Sequence, residues 1–97
     1  MEKWYTTNNY RELCIAILQE NLVALRSKAK LSQDRMANLV GVSRQTYYGF
    51  ETGNNPMSWT VCIALIFYFD KIEATRDMLR DLKVYPEELI VALNEKI

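Results

Sequence analysis

The chain has 97 residues, of which 49% are hydrophobic and 25% charged, a composition typical of one globular domain. Its longest apolar run, residues 61–69, is far shorter than the roughly 18 residues of a membrane span, and the N-terminus lacks the apolar segment of a secretory signal, so we expect a cytoplasmic protein without membrane attachment. Twelve basic and twelve acidic residues cancel, which weighs mildly against nucleic-acid binding and makes the distribution of charge more informative than its sum.

The first predicted element is an N-terminal helix. Asn9 followed by Glu12 resembles a capping box, in which two side chains satisfy free amides at a helix start. An apolar stripe at helical spacing follows it. The pattern leaves open whether residues 10–28 form one long helix or two kinked helices. The stripe consists of Leu13, Ile17, Leu18, Leu22 and Leu25.

Two short helices joined by a tight turn come next. Ser32 has the chemistry of an N-cap, and Gly41 suits the left-handed position that ends a helix. Ser43 then caps the second helix, which Gly53 ends. Because Ala37 on the first helix is small, the second helix can approach it closely. The sequence therefore predicts a helix-turn-helix here.

The remaining sequence also has helical patterns. After a polar turn at residues 54–56, Ser58 caps a helix that is apolar nearly all round and is therefore expected at the centre of the fold. Asp70 with Glu73 predicts a capping box for a further helix, and Pro86 predicts the first turn of the last one. No linker interrupts the chain, so the expected fold is a single all-α bundle.

Basic residues are concentrated in the middle of the chain. Residues 22–55 carry five basic and two acidic side chains, a net charge of +3, whereas residues 1–21 carry −1 and residues 56–97 carry −2. Phosphate attraction acts over about 10 Å at moderate salt, so a locally basic face can bind DNA on a neutral protein.

The second short helix is expected to expose Arg44, Gln45, Tyr48 and Gly49. A large aromatic residue and a glycine are poor choices for a merely solvated helix face, which is the alternative interpretation. In the major groove of DNA, arginine can bind guanine and glutamine can bind adenine, while Thr46 or an aromatic ring can contact a thymine methyl group. Gly49 is expected where the helix approaches the DNA backbone.

The segment from Ser32 to Gly53 resembles the helix-turn-helix of the phage repressor and Cro family, also called the xenobiotic response element family. The resemblance covers about residues 22–69 and implies a lambda-repressor-like bundle. It treats residues 70–97 as a C-terminal helical extension that could dimerise, and the residues before the core as an N-terminal helical extension. The matching features are Leu25-Arg26, Leu31-Ser32-Gln33, Met36-Ala37, Gly41 to Thr46, and Glu51 with Gly53.

The resemblance also implies roles for individual residues. Gln33 would bind a phosphate at a helix N-terminus, and Ser43 with Arg44 would position the second helix. The side chains implied to face base edges are Gln45, Thr46 and Tyr48.

Members of the family also pair an arginine of an earlier helix with a glutamate that ends the recognition helix. Arg26 and Glu51 occupy those positions here, which implies a partly buried ion pair. Tyr47 departs from the family pattern, because this core-facing position is often a smaller aliphatic residue.

These features predict a DNA-binding transcriptional regulator, most simply a repressor, whose partners are an operator duplex and a second copy of the chain. The alternative is a protein-interaction module, such as an antitoxin, that holds a partner through its additional helices. Titration against DNA fragments separates the two.

An enzyme has little support in this sequence. There is no histidine, no nucleophile paired with a base and no glycine-rich phosphate loop, so we expect no catalytic site, metal or cofactor. Cys14 and Cys62 lie in apolar segments without a CxxC spacing. They are expected to be packed, reduced thiols, with a disulfide between them as the alternative.

Overall fold

The computed structural model describes residues 8–82 and residue 84. All regular structure in this part of the chain is helical, in agreement with the predicted all-α helix-turn-helix bundle. The helix predicted to start at Pro86 lies outside the described residues. The five helices are α1 (Asn8–Ala29), α2 (Gln33–Val40), α3 (Arg44–Thr52), α4 (Trp59–Lys71) and α5 (Glu73–Asp81).

Helix α1 is one continuous helix of 22 residues, which settles the question that the sequence left open. Asn9 lies one residue after the start of this helix, and its side chain is outside the described part of the chain, so the capping box with Glu12 stays a prediction. Leu13 is 59% exposed, and the face turned to the core is shifted by one residue toward Cys14. The buried residues of α1 are Cys14, Leu18, Leu22 and Leu25.

The predicted ends of α2 and α3 are confirmed. The Ser32 hydroxyl accepts a hydrogen bond from the Arg35 amide at 3.1 Å, and so caps α2. Gly41 and Gly53 end the two helices with φ angles of 75° and 80°, a region that costs glycine little because it has no Cβ. The turn between α2 and α3 is therefore encoded locally.

Helices α1 and α4 form the centre of the bundle, and α1 packs against α3, α4 and α5. Leu22 and Leu65 are fully buried, and each contributes about 1.5–3 kcal/mol on burial. The Tyr47 and Phe50 rings of α3 meet edge to face at 6.2 Å within this core. The expectation that the apolar helix α4 lies at the centre of the fold is confirmed, although its Phe67 is 55% exposed.

The predicted capping box at the start of α5 was wrong. Asp70 lies in the last turn of α4, and Ile72 occupies the N-cap position without a side-chain bond. The buried Asp70 carboxylate instead pairs with Arg80 of α5, its Oδ1 lying 3.1 Å from Nη2. Thr75 Oγ1 donates to the Phe69 carbonyl at 2.7 Å. Tertiary contacts thus set this helix start.

Cys14 and Cys62 are free and buried, as predicted. Burial raises the pKa of the Cys62 thiol to about 12, and the nearby Cys14 adds to this effect. Burial also raises the pKa of Cys14. Since the thiolate is the reactive form, both side chains act as small apolar groups near neutral pH.

Candidate nucleic-acid interface

Four of the predicted site residues come together at one end of α3. Gln33 of α2 and three residues of α3, Arg44, Gln45 and Tyr48, line an open depression of about 460 Å³. The Tyr48 side chain is 52% exposed although it is a large aromatic residue. Arg44 and Gln45 are exposed as well. The surface therefore offers cationic, amide and aromatic groups to a ligand from outside.

Ser43 and Thr46 form the first turn of this surface. The Ser43 hydroxyl accepts from the Thr46 amide at 3.0 Å and donates to the Thr46 hydroxyl at 2.9 Å. These bonds fix the N-terminal end of α3, where unpaired backbone amides favour an anion. Thr46 is half-buried, so it is less accessible than Gln45 or Tyr48.

Gly49 is not on this surface, contrary to the expectation from the sequence. It is buried, and a Cβ at this position would lie 2.1 Å from Nδ2 of Asn55 in the α3–α4 loop. The missing side chain thus makes room for another residue of the same chain.

Arg26 and Glu51 form a bidentate ion pair between α1 and α3. Arg26 Nε donates to Glu51 Oε2 at 2.6 Å, and Nη2 donates to Oε1 at 3.2 Å. The Glu51 side chain is 3% exposed and that of Arg26 19% exposed. Arg26 Nη1 also donates to the Leu31 carbonyl at 3.1 Å, so the guanidinium connects α1, the α1–α2 loop and α3.

Gln33 extends this pair toward the surface. Its Nε2 donates to Glu51 Oε1 at 3.0 Å. No local sequence pattern indicates this bond, because the two residues are 18 positions apart. An amide nitrogen carries two hydrogens, so one remains for an acceptor outside the protein, such as a phosphate oxygen. Gln33 is therefore positioned by Glu51 and can still bind a ligand.

The environment of Glu51 keeps it ionised. Burial alone would raise the pKa of this carboxyl group, but hydrogen bonds from Arg26 and Gln33 outweigh burial and hold the pKa below its usual value of 4.5. The neighbouring Tyr47 responds in the opposite direction. Burial raises the pKa of its hydroxyl, and the adjacent Glu51 carboxylate raises it further.

The Tyr47 hydroxyl is buried without forming a hydrogen bond of good geometry to any described residue. Replacing Tyr47 by phenylalanine removes only this oxygen and keeps the ring in the core. We expect the free energy of unfolding to change by less than about 1 kcal/mol, because a hydroxyl that meets the adjacent Glu51 carboxylate with poor geometry contributes little. Urea unfolding measures the change. A loss above about 1 kcal/mol would show that the hydroxyl makes a strong bond in solution.

The charge at this surface is modest. Arg44 Nε lies 3.6 Å from Asp34 Oδ1, but both side chains are about two-thirds exposed, at 67% and 68%, so the pair is weak. Three further basic residues that are close in sequence to Asp34 are also exposed: Lys28, Lys30 and Arg35. A phosphate could displace Asp34 from Arg44 at little cost. The position of Asp34 beside Arg44 was not predicted.

Two residues that bind backbone carbonyls of α3 were not predicted from the sequence. Asn55 Nδ2 donates to the Thr46 carbonyl at 3.3 Å, and Gln19 Nε2 donates to the carbonyl oxygens of Phe50 and Asn55 at 3.2 and 3.1 Å. Asn55 could be read from the sequence only as a turn residue. Gln19 belongs to a helix remote in sequence, so no local pattern indicates its role.

The arrangement of α2 and α3, with a capped and exposed second helix held by an internal ion pair, defines a helix-turn-helix protein of the DNA-binding class. Comparison with protein families agrees: a family model described as a helix-turn-helix domain matches residues 20–82. The chain therefore belongs to this helix-turn-helix family, in keeping with its resemblance to the phage repressor and Cro group. Comparisons with curated proteins and with solved structures gave no significant match.

The described residues give two further observations on function class. No described helix is both long and apolar enough to cross a membrane. Within the same residues, no three His, Cys, Asp or Glu side chains are grouped so that they could hold a metal ion. The domain family itself is typically non-enzymatic.

Proposed function

We propose that the chain is a transcriptional regulator that binds operator DNA by inserting α3 into the major groove. The observation that supports this most is the open surface formed by Gln33, Arg44, Gln45 and Tyr48 at the N-terminal end of α3. The Arg26–Glu51 ion pair attaches this helix to α1. An α-helix fits the major groove, which is about 12 Å wide. Side chains on the first turns of such a helix reach the base edges.

Each exposed group matches a chemical feature of duplex DNA. Gln45 can accept from and donate to the adenine edge, and Arg44 can bind guanine or a phosphate. Tyr48 offers an apolar ring edge to a thymine methyl group and a hydroxyl to the backbone. Gln33, together with the free amides at the start of α2, suits a phosphate oxygen beside the groove. These roles divide the contacts into base readout and positioning.

The regulator is proposed to act as a repressor in the cytoplasm and as a homodimer. Residues 22–55 carry a net charge of only +3, so one copy has few phosphate contacts and weak affinity. Two copies on a pseudo-palindrome about 34 Å between half-site centres would combine their affinities. Residues 70–97 are the proposed dimer interface, of which the structure describes only residues 70–82 and 84. Repression would follow from occupying the promoter.

Replacing Gln45 by alanine should reduce the preference for the best duplex sequence while leaving the fold intact. The expected loss is about 1–3 kcal/mol of discrimination at one base pair, because a bidentate contact is removed. The preferred site is first selected from random duplexes with the wild-type protein. Fluorescence anisotropy then measures affinity for that site and for a scrambled duplex at several salt concentrations, and the titration gives the number of chains per duplex.

Thr60→Ala is the matched control, since it also removes an exposed polar group but lies on α4. It should keep the wild-type preference. Equal preference in wild type and Gln45→Ala would remove Gln45 from base readout. If the wild-type protein retains no duplex at physiological salt, DNA binding is refuted and the interaction-module alternative is favoured.

A further inference from the structure

The buried Gly49 and the loop residue Asn55 form a close contact that no DNA-binding role explains. An ideal Cβ on Gly49 would lie 2.1 Å from Nδ2, 2.5 Å from Cγ and 2.9 Å from Cβ of Asn55. A side chain on residue 49 would therefore require Asn55 to move and to give up its present contacts. The Asn55 side chain therefore occupies the space that glycine leaves on α3.

Hydrogen bonds hold Asn55 in this space from both sides. Its backbone amide donates to the Gly49 carbonyl at 3.1 Å, and its side-chain Nδ2 donates to the Thr46 carbonyl at 3.3 Å. Gln19 of α1 donates to the Asn55 carbonyl at 3.1 Å and to the Phe50 carbonyl at 3.2 Å. Helix α3, the α3–α4 loop and α1 are thus joined at one point, on the flank of α3 one helical turn beyond Gln45.

We infer that Gly49 and Asn55 form a lock that sets the orientation of α3 relative to α1, with Gln19 as its anchor. The orientation of α3 does not depend on the proposed function. The consequence that Asn55 is a positioning residue for base readout does rest on it. Arg26 and Glu51 hold the C-terminal end of α3 separately. These two attachments lie on different turns of α3 and, with the buried Tyr47 and Phe50, resist rotation of the helix about its axis.

The lock can be tested because it reverses the usual effect on stability of replacing a helical glycine by alanine. Alanine in the middle of a helix is normally favoured over glycine. In the wild-type background, Gly49→Ala should instead lower Tm by about 5 °C or more, because the new methyl group collides with Asn55. In an Asn55→Gly background the three crowding atoms are gone, and the same substitution should raise Tm by about 4 °C.

Asn38→Ala is the matched control, because this exposed residue of α2 should change Tm equally in both backgrounds. A Gly49→Ala effect of the same sign in both backgrounds would overturn the lock. Orientation is measured without DNA by residual dipolar couplings of α3 amides relative to α1, which should change in Asn55→Gly. If these couplings stay at wild-type values while the sign reversal occurs, Asn55 is only a packing residue and the positioning role is refuted.

The effect on DNA binding is measured as a ratio of two affinities, because loss of folded protein lowers both affinities equally. Asn55→Gly should reduce the ratio of affinities for the selected and scrambled duplexes about tenfold, because misoriented Gln45 and Tyr48 miss the base edges. An unchanged ratio would refute positioning for readout. Failure of the wild-type protein to bind any duplex would refute the proposed function and leave the sign reversal as the test of the lock.

Discussion

Replacing Glu51 by glutamine is expected to lower the free energy of unfolding by about 2–4 kcal/mol, the largest effect of any single substitution at this site. The change removes a negative charge and little volume, so the Arg26 guanidinium stays in place without its partner. Breaking a fully buried pair costs about 3–5 kcal/mol, and the 19% exposure of Arg26 reduces this cost. Gln33 also loses a charged acceptor. Chemical denaturation at neutral pH measures the change.

The same substitution should alter the acid dependence of stability. The pKa of Glu51 is held below its usual value of 4.5 in the folded protein, so the unfolded chain takes up the proton first as the pH falls. The contribution of the ion pair is therefore complete above about pH 5 and is lost as the pH falls through the folded pKa. Wild type should lose more stability than Glu51→Gln between pH 5 and the folded pKa, so the two curves converge in acid.

Two controls separate the ion pair from a general charge effect. Asp34→Asn removes an exposed acid beside Arg44 and should change stability by less than about 1 kcal/mol. The double variant Arg26→Met with Glu51→Met should be more stable than Arg26→Met or Glu51→Met alone, because apolar side chains of similar size leave no buried charge. Stability equal to wild type in Glu51→Gln would show that the pair contributes nothing.

Enlarging Ala37 to leucine is expected to be the second most damaging change. Ala37 is 2% exposed on α2, and its carbonyl accepts the Val42 amide at 3.0 Å in the turn toward α3. Three additional carbon atoms must displace α3 or strain the turn, which costs about 1–3 kcal/mol. Because α3 carries Gln45 and Tyr48, the preference for the selected duplex should fall together with stability.

Asn38→Leu adds an equally large side chain to the next residue of the same helix, where it faces solvent. It should leave both unfolding and duplex preference close to wild type. Calorimetry and anisotropy on the two variants therefore compare the same residue type on two faces of α2. A fully stable Ala37→Leu protein would show that α2 and α3 are separated by more space than the burial of Ala37 indicates.

Local chemistry explains why the helix-turn-helix could be recognised from the sequence. Caps such as Ser32 and Ser43 act within one helical turn, and Gly41 satisfies a backbone requirement of its own position. The match to Arg26 and Glu51 came from family resemblance, because no spacing rule connects residues 25 positions apart. Local patterns failed where tertiary contacts dominated. Asp70 resembles a cap but is paired with Arg80.

Sequence patterns alone were enough to predict the all-α class, the two motif helices with their caps and turn, and the exposure of Arg44, Gln45 and Tyr48. Each depends on the period of apolar residues or on bonds between neighbours in the chain. The packing of the helices was needed to show that Gly49 is buried against Asn55 and that Gln33 binds Glu51. Those facts depend on how helices distant in sequence pack, and a glycine has the same local signal whether the space beside it is filled by DNA or by protein.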